Sequence, residues 1–79
     1  MQAKEYIYTV FFQSGPDGGY IVTVPALPGL VTGADTMEEA REAARGAIRA
    51  YIDELVKEGQ PIPQEGRTVQ EKVSVFVVT

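Results

Sequence analysis

The chain has 79 residues, enough for one small hydrophobic core, and we expect a single domain over residues 1–79. It contains no cysteine and no histidine, which excludes disulfides, zinc sites built on these residues and Ser-His or Cys-His catalytic pairs. The formal net charge of −4 makes nucleic acid a poor first candidate for a direct partner and a basic protein a better one, although mild acidity also serves solubility.

The sequence shows no segment that would carry the chain into a membrane. No apolar run approaches the roughly 20 residues that cross a bilayer. Residues 1–5 lead directly into a strand pattern and lack the features of a signal peptide. We therefore expect a cytoplasmic protein.

The first part of the chain predicts three short antiparallel strands. Residues 6–13 are rich in aromatic and β-branched side chains and predict the first strand. The turn-forming residues 14–19 lead to a second strand at 20–24, so these two strands form a hairpin. Prolines end the second strand, and residues 30–34 predict a shorter third strand.

A helix is predicted from about Met37 to Glu58. Thr36 and Glu39 match a capping box, in which each side chain binds the backbone amide of the other residue. Asp35 adds negative charge beside the positive end of the helix, and Gly59 is expected in the left-handed conformation just after the helix.

Apolar residues recur every three or four positions and give this helix one apolar stripe. The first half of the stripe is crowded with small residues, which would let it approach a sheet closely. Gly46 is among them, and we expect close packing to compensate for its low helix propensity. The small residues are Ala40, Ala43, Ala44, Gly46 and Ala47.

Residues 73–78 predict a fourth strand after the helix. The order is then β-β-β-α-β, an α+β fold with a four-stranded mixed sheet and one long helix on one face. The simplest sheet places the last strand beside the first and parallel to it.

The predicted strands are apolar on both sides, whereas one helix covers only one side of a sheet. We therefore expect a homo-oligomer, at least a dimer, that buries the second side. Phe76 and Val78 are the interface candidates, and Val73, Val75 and Val77 are expected to point toward the helix.

A longer motif connects the second strand to the helix. Residues 19–29 read Gly-Tyr-Ile-Val-Thr-Val-Pro-Ala-Leu-Pro-Gly, and residues 33–40 read Gly-Ala-Asp-Thr-Met-Glu-Glu-Ala. After the helix, residues 59–63 read Gly-Gln-Pro-Ile-Pro. In this combination the chain resembles the HicB family of antitoxins, over the stretch from Gly19 to Ala47 and again after the helix. Leu30 and Ala34 depart from the cysteine and glycine common in the family, which casts little doubt on the fold.

The resemblance implies a partial ribonuclease-H-like fold without ribonuclease activity. It also implies a partner, a small basic toxin of the HicA type that cleaves messenger RNA. Many relatives carry a C-terminal DNA-binding segment, which we do not expect here because the sequence ends with the predicted last strand. The function predicted on this basis is that of an antitoxin-type binding module. It is not an enzyme, and it has no catalytic residues, cofactor or metal.

Two motifs have both a functional and a structural interpretation. The loop residues Pro25, Leu27, Pro28 and Gly29 could contact a partner, but a rigid connector with a tight turn at Pro28-Gly29 is favoured. Asp35 could bind a metal in a ribonuclease-H-like enzyme, but such a site needs several converging carboxylates. The helix-cap interpretation of Asp35 is therefore favoured.

A basic stripe leaves a second function class open. Arg41, Arg45 and Arg49 repeat every four residues along one side of the helix, as a nucleic-acid-binding protein could require. Neighbouring carboxylates can neutralise them, so a solvated helix face is favoured. The alternatives to an antitoxin are therefore a nucleic-acid-binding protein and an orphan oligomeric HicB-like domain without a toxin.

Overall fold

Three antiparallel strands and one long helix form the folded part of the chain. The computed structural model describes residues 3–79. The strands are β1 (Phe11–Ser14), β2 (Tyr20–Thr23) and β3 (Val31–Ala34), and the helix is α1 (Met37–Lys57). They confirm the α+β class and the predicted order from the first strand through the helix. Within residues 3–79 no helix is both long and apolar enough to cross a membrane.

The sheet has the order β1-β2-β3, so β2 is its central strand. Phe12 of β1 lies opposite Val22 of β2, and Val22 lies opposite Thr32 of β3. Because alternate residues of a strand share a side of the sheet, this register aligns one apolar row across β1 and β2. Val22 is fully buried in this row and packs against Ala40 and Ala44 of α1. The small alanine side chains bring the helix close to the central strand.

A second core cluster forms where the chain leaves β2. Val24, Leu27 and Leu30 are buried there. Partly buried side chains from the start of the chain and from the second half of α1 pack against them: Tyr8, Val10, Ala47, Ile48 and Tyr51. The two clusters lie along one side of the sheet, so a single helix covers both of them.

Both ends of α1 are capped as the sequence predicts. The Thr36 hydroxyl accepts from the Glu39 amide at 3.1 Å, and it also donates to the Glu39 carboxylate at 2.9 Å. That second bond replaces the expected contact of Glu39 with the Thr36 amide. Gly59 has a φ of +68°, and the bonds from Gly59 to Val56 and from Gln60 to Leu55 form a Schellman motif.

The first strand is shorter than predicted. Only Phe11–Ser14 pairs with β2, and residues 6–10 form no ladder. Continuing the register would place Thr9 opposite Pro25, which has no amide hydrogen to donate and begins a turn. The ladder therefore stops at Phe11, although Tyr8 and Val10 still pack into the second core cluster.

The predicted fourth strand is not formed in this structure. Residues 60–79 adopt neither helix nor strand, and Val73, Val75 and Val77 are exposed rather than packed toward the helix. Contacts at residues 63–65 hold the chain against Tyr8 and Thr9, and beyond them it leaves the core. The radius of gyration is accordingly 15.6 Å, whereas a compact domain of this length has about 12 Å.

Gly46 also differs from the prediction. A Cβ atom added there would meet nothing within 4 Å, and the residue is exposed. Close packing therefore does not explain this glycine, because α1 turns the Gly46 position toward solvent. Gly33 is the glycine that is closely packed: a Cβ added to it would lie 2.8 Å from the backbone oxygen of Tyr20.

Alanine at these two positions should have opposite effects. Gly46→Ala should raise the free energy of unfolding by about 0.5–1 kcal/mol, because alanine restricts the unfolded chain and favours helix. Gly33→Ala should lower it by about 1–3 kcal/mol, because the backbone of β2 must move aside. Urea denaturation followed by circular dichroism measures both values. A Gly46→Ala variant less stable than the parent chain would contradict the described environment of this residue.

Candidate partner-binding surfaces

The loop between β2 and β3 is built from two consecutive proline turns. The Leu27 amide donates to the Val24 oxygen at 2.9 Å, and the Leu30 amide donates to the Leu27 oxygen at 3.2 Å. Pro25 and Pro28 each occupy the second position of a turn, where their fixed φ is favourable. Gly29 follows with a φ of +84°, as the tight turn predicted at Pro28-Gly29 requires.

Leu27 fixes this loop to the core. Its side chain has 0% exposure and lies between Val24 and Leu30. The Tyr51 hydroxyl of α1 donates to the Pro28 oxygen at 2.9 Å and holds the loop from the helix side. These contacts support the rigid-connector interpretation of the motif. They also leave Pro25, Pro28 and Gly29 exposed on a well-supported surface.

The helix start carries the predicted cap. Asp35 is exposed beside the capping Thr36, and Glu39 is used in the cap. No group of three or more metal-ligating side chains is found in the part of the chain that the structure describes. Asp35 shares a shallow depression with Asp17, but two exposed carboxylates supply too few ligands for a magnesium centre.

A groove of about 810 Å³ runs between the start of the chain and α1. One wall is formed by residues 4–12, and Ala44, Ile48 and Ile52 of α1 contribute apolar atoms to the other. Sequence reasoning missed this groove, since it expected the fourth strand to occupy the space beside the first. The sequence indicated this groove only through the apolar stripe of α1. The stripe extends to Ile52, which is farther along the helix than its contact with β2 and β3.

The basic stripe forms the rim of this groove. Arg41, Arg45 and Arg49 all line it, together with Lys4, whose ammonium lies 5.3 Å from the centre of the Tyr6 ring. Arg45 pairs with the Glu42 carboxylate at 2.7 Å on the exposed surface. Arg41 and Arg49 make no ion pair within residues 3–79, so the expected neutralisation is only partial.

A polar clasp joins the segment after the helix to the start of the chain. The Tyr8 hydroxyl donates to the Pro63 oxygen at 2.6 Å. The Glu65 carboxylate accepts from the Thr9 amide at 2.7 Å and from the Thr9 hydroxyl at 2.5 Å. The Thr9 amide has no strand partner, because the position opposite it is Pro25. The Glu65 carboxylate supplies the missing acceptor. No sequence pattern predicts this pairing, since the two residues are 56 positions apart.

The clasp shifts the acid–base behaviour of two groups. Burial of the Tyr8 ring raises the pKa of its hydroxyl, and nearby Tyr6 and Glu65 add to the effect. The hydrogen bonds from the Thr9 hydroxyl and amide lower the pKa of the Glu65 carboxyl.

The two predicted interface residues lie beyond the clasp. Phe76 and Val78 are fully exposed, and the structure brings them into no contact with the core clusters. They remain candidates for an interface.

Known sequences match most of this chain. A family model described as the HicB-like antitoxin of bacterial toxin-antitoxin systems matches residues 8–75. The match begins at the clasp residue Tyr8 and includes the proline loop, the helix and most of residues 60–79. It therefore extends well beyond the motif between β2 and the helix.

Individual relatives agree with the family match. A UPF0150 protein of Thermoplasma acidophilum is 47% identical over 58 residues, which are 73% of this chain and 84% of that protein. A UPF0150 protein of Synechocystis is 42% identical over 65 residues, 82% of each chain. Antitoxin HicB of Escherichia coli K12 is 34% identical over 56 residues, which are 71% of this chain but 41% of the antitoxin. The chain thus matches less than half of that antitoxin.

Truncating the residue that fixes the proline loop should weaken the whole fold. Leu27→Ala should lower the free energy of unfolding by about 2–5 kcal/mol, because it opens a cavity between Val24 and Leu30. Chemical denaturation measures the loss. Pro28→Ala is the matched control: Pro28 is exposed, so the change should cost much less. Equal losses for the two variants would contradict the anchoring role of Leu27.

The clasp should loosen in acid. Since the folded-state pKa of Glu65 lies below its ordinary value of 4.5, the carboxylate contributes stability that is complete above pH 4.5. That contribution is lost as the pH falls through the lowered pKa. Hydrogen exchange of the Thr9 amide should therefore quicken as the pH drops through this window, beyond the ordinary pH dependence of exchange.

The control variants separate this effect from general acid unfolding. Glu65→Gln should remove the pH-dependent part of the Thr9 protection. Glu71→Gln should preserve it, because the Glu71 carboxylate makes no hydrogen bond in the described part of the chain. An unchanged Thr9 response in Glu65→Gln would show that the clasp is not its cause.

Proposed function

Because the chain belongs to the HicB-like antitoxin family of bacterial toxin-antitoxin systems, we propose that it sequesters a HicA-like messenger-RNA-cleaving toxin through protein-protein contact. The observation that carries the proposal is the family match over residues 8–75, which includes the proline loop. The antitoxin relatives suggest a regulatory rather than an enzymatic role. We extend this to the proposal that the chain has no catalytic activity of its own.

Charge supports a basic partner. The net charge of −4 favours encounter with a basic toxin and disfavours direct contact with its RNA substrate. Such steering acts mainly on the association rate and on the choice of partner. The lasting contact then needs a preformed surface, since a rigid surface loses little conformational entropy on binding.

The exposed part of the proline loop is the surface we propose for toxin contact. Pro25 and Pro28 are held rigidly there by Leu27 and Tyr51. Glu54 and Glu58 follow Tyr51 by three and seven positions, so they lie on the same side of α1, and both are exposed. The surface, which we call the proline–glutamate surface, therefore combines rigid apolar groups with two carboxylates. This suits a basic protein partner.

Further features belong to the same proposal. The family implies a partial ribonuclease-H-like fold, whose sheet needs the fourth strand that this structure lacks. We propose that this strand forms on assembly into a homo-oligomer, at least a dimer. We also propose that the protein acts in the cytoplasm, where a messenger-RNA-cleaving toxin finds its substrate.

One observation favours an alternative function. Arg41 and Arg49 make no ion pair within residues 3–79 and stand beside Lys4 on the groove rim, as phosphate contacts of a nucleic-acid-binding protein would. The net negative charge opposes this alternative. A gel-shift titration with single-stranded RNA and duplex DNA at low salt decides it, because binding below micromolar concentration would favour the basic rim.

Charge reversal should separate toxin binding from folding. The double variant Glu54→Lys and Glu58→Lys should weaken binding to a small basic HicA-like toxin by at least about tenfold. The reason is that like charges would then meet across the interface. Isothermal titration calorimetry measures the dissociation constant, and RNA cleavage by the toxin with and without the chain measures inhibition.

The matched control makes the same change in charge elsewhere. Glu5→Lys with Asp17→Lys should leave the dissociation constant within about threefold, since Glu5 lies at the start of the chain and Asp17 in the β1–β2 turn at the other end of the sheet from the proline loop. If the control weakens binding as much as the test variant, net charge rather than the proline–glutamate surface is responsible. If the parent chain neither binds nor inhibits the toxin, the orphan alternative replaces the antitoxin proposal.

A further inference from the structure

The groove beside β1 is open along an unpaired strand edge. β1 is an outer strand of the sheet, and residues 6–10, which precede it, pair with no strand in the described part of the chain. An edge of this kind presents free backbone donors and acceptors to any extended segment that lies along it. Its apolar neighbours on α1 include Ile48 and Ile52. The groove is therefore shaped for an apolar strand.

The C-terminal segment, residues 73–78, is such a strand without a partner. Five of its six side chains are large and apolar, and all of them are exposed: Val73, Val75, Phe76, Val77 and Val78. Its β-branched and aromatic composition is that of a buried strand. A contiguous apolar segment exposed to this extent needs cover, because soluble proteins rarely leave one in water.

The path of the chain separates the segment from the groove of its own protomer. Glu65 is bound at Thr9, and residues 64–68 then line a shallow depression together with Pro25 and Ala26. The groove contains no residue of that turn. The chain therefore departs beside the proline loop and not along the groove. From there residues 69–79 continue without secondary structure and are exposed, and the longest dimension of the molecule is 58 Å.

We propose that residues 73–78 of one chain fill the groove of a second copy, and that the exchange is reciprocal. Each segment adds a strand to the free edge beside β1 of its partner and places apolar side chains against Ile48 and Ile52. The argument for this arrangement does not depend on the proposed toxin contact. It supplies a fourth strand to each sheet from the other chain and locates Phe76 and Val78 at the contact.

The length of the groove agrees with this occupant. Six extended residues span about 20 Å, and the stretch from Lys4 to Phe12, six of whose residues line the groove, is long enough to accompany them. In a two-fold exchange both grooves are filled and both segments are bound. No free groove or segment is left to bind a third chain, so the assembly closes as a dimer.

The first test is the oligomeric state of the full chain. Sedimentation velocity at micromolar concentrations should show a dimer. Phe76→Asp in the segment and Ile52→Asp in the groove should each weaken dimerisation by at least about tenfold. Both variants should keep the helical circular dichroism signal, because Phe76 is exposed and Ile52 belongs to neither core cluster.

Two variants serve as matched controls. Val69→Asp lies in the same extended region but outside the segment, and Val56→Asp lies on α1 but outside the groove. Both residues are exposed apolar side chains, and both variants should remain dimeric. Loss of the dimer in either control would point to a contact other than the proposed one.

Mixing experiments distinguish exchange from a segment that folds onto its own chain. A mixture of the Phe76→Asp and Ile52→Asp chains contains one intact groove and one intact segment, so it should recover dimers that neither variant forms alone. A monomeric parent chain would overturn the proposal, whether residues 73–78 were protected from hydrogen exchange by their own groove or remained exposed. Failure of the mixture to dimerise would also overturn it.

Discussion

The packing of Ala40 and Ala44 against Val22 sets the geometry on which the rest of the molecule depends. Two small side chains let the helix lie close to the central strand, and a single helix can then cover β2 and β3 but does not reach past β1. The groove exists because the helix stripe continues to Ile52, beyond this cover. Close packing at one end of the helix thus leaves unfilled apolar surface along the sheet edge.

The elements that sequence predicted well are those determined by local chemistry. The helix follows from its apolar stripe, and its caps at Thr36 and Gly59 follow from residues adjacent in the chain. The end of the β1 ladder at Phe11 depends instead on Pro25, fourteen positions later, and on a carboxylate farther still. Gly46 was misread because the helix stripe predicts a side of the helix but does not measure how near the sheet comes to each position.

The candidate surfaces also differ in whether they depend on local sequence or on residues far apart in the chain. The proline loop was recognisable because proline and glycine at fixed positions dictate turns. Its anchoring by Leu27 was not, since the sequence does not show which side of the loop faces the core. The helix stripe was the one signal for the groove. The clasp was not predictable, since it joins residues more than fifty positions apart, as Tyr8 and Pro63 show. Residues 73–78 have the composition of a strand, but composition does not specify which chain supplies the partner.

The course of residues 64–68 beside Pro25 and Ala26 links the two proposed binding events. A toxin that covers this turn would also contact residues 64–68, which lead to the exchanged segment. Its affinity would then depend on whether that segment is bound to the second copy. Thermodynamic linkage requires the effect to be reciprocal: if assembly changes the affinity for toxin by some factor, toxin changes the affinity of assembly by the same factor. Under the two proposals, the small depression would couple toxin binding to dimer formation.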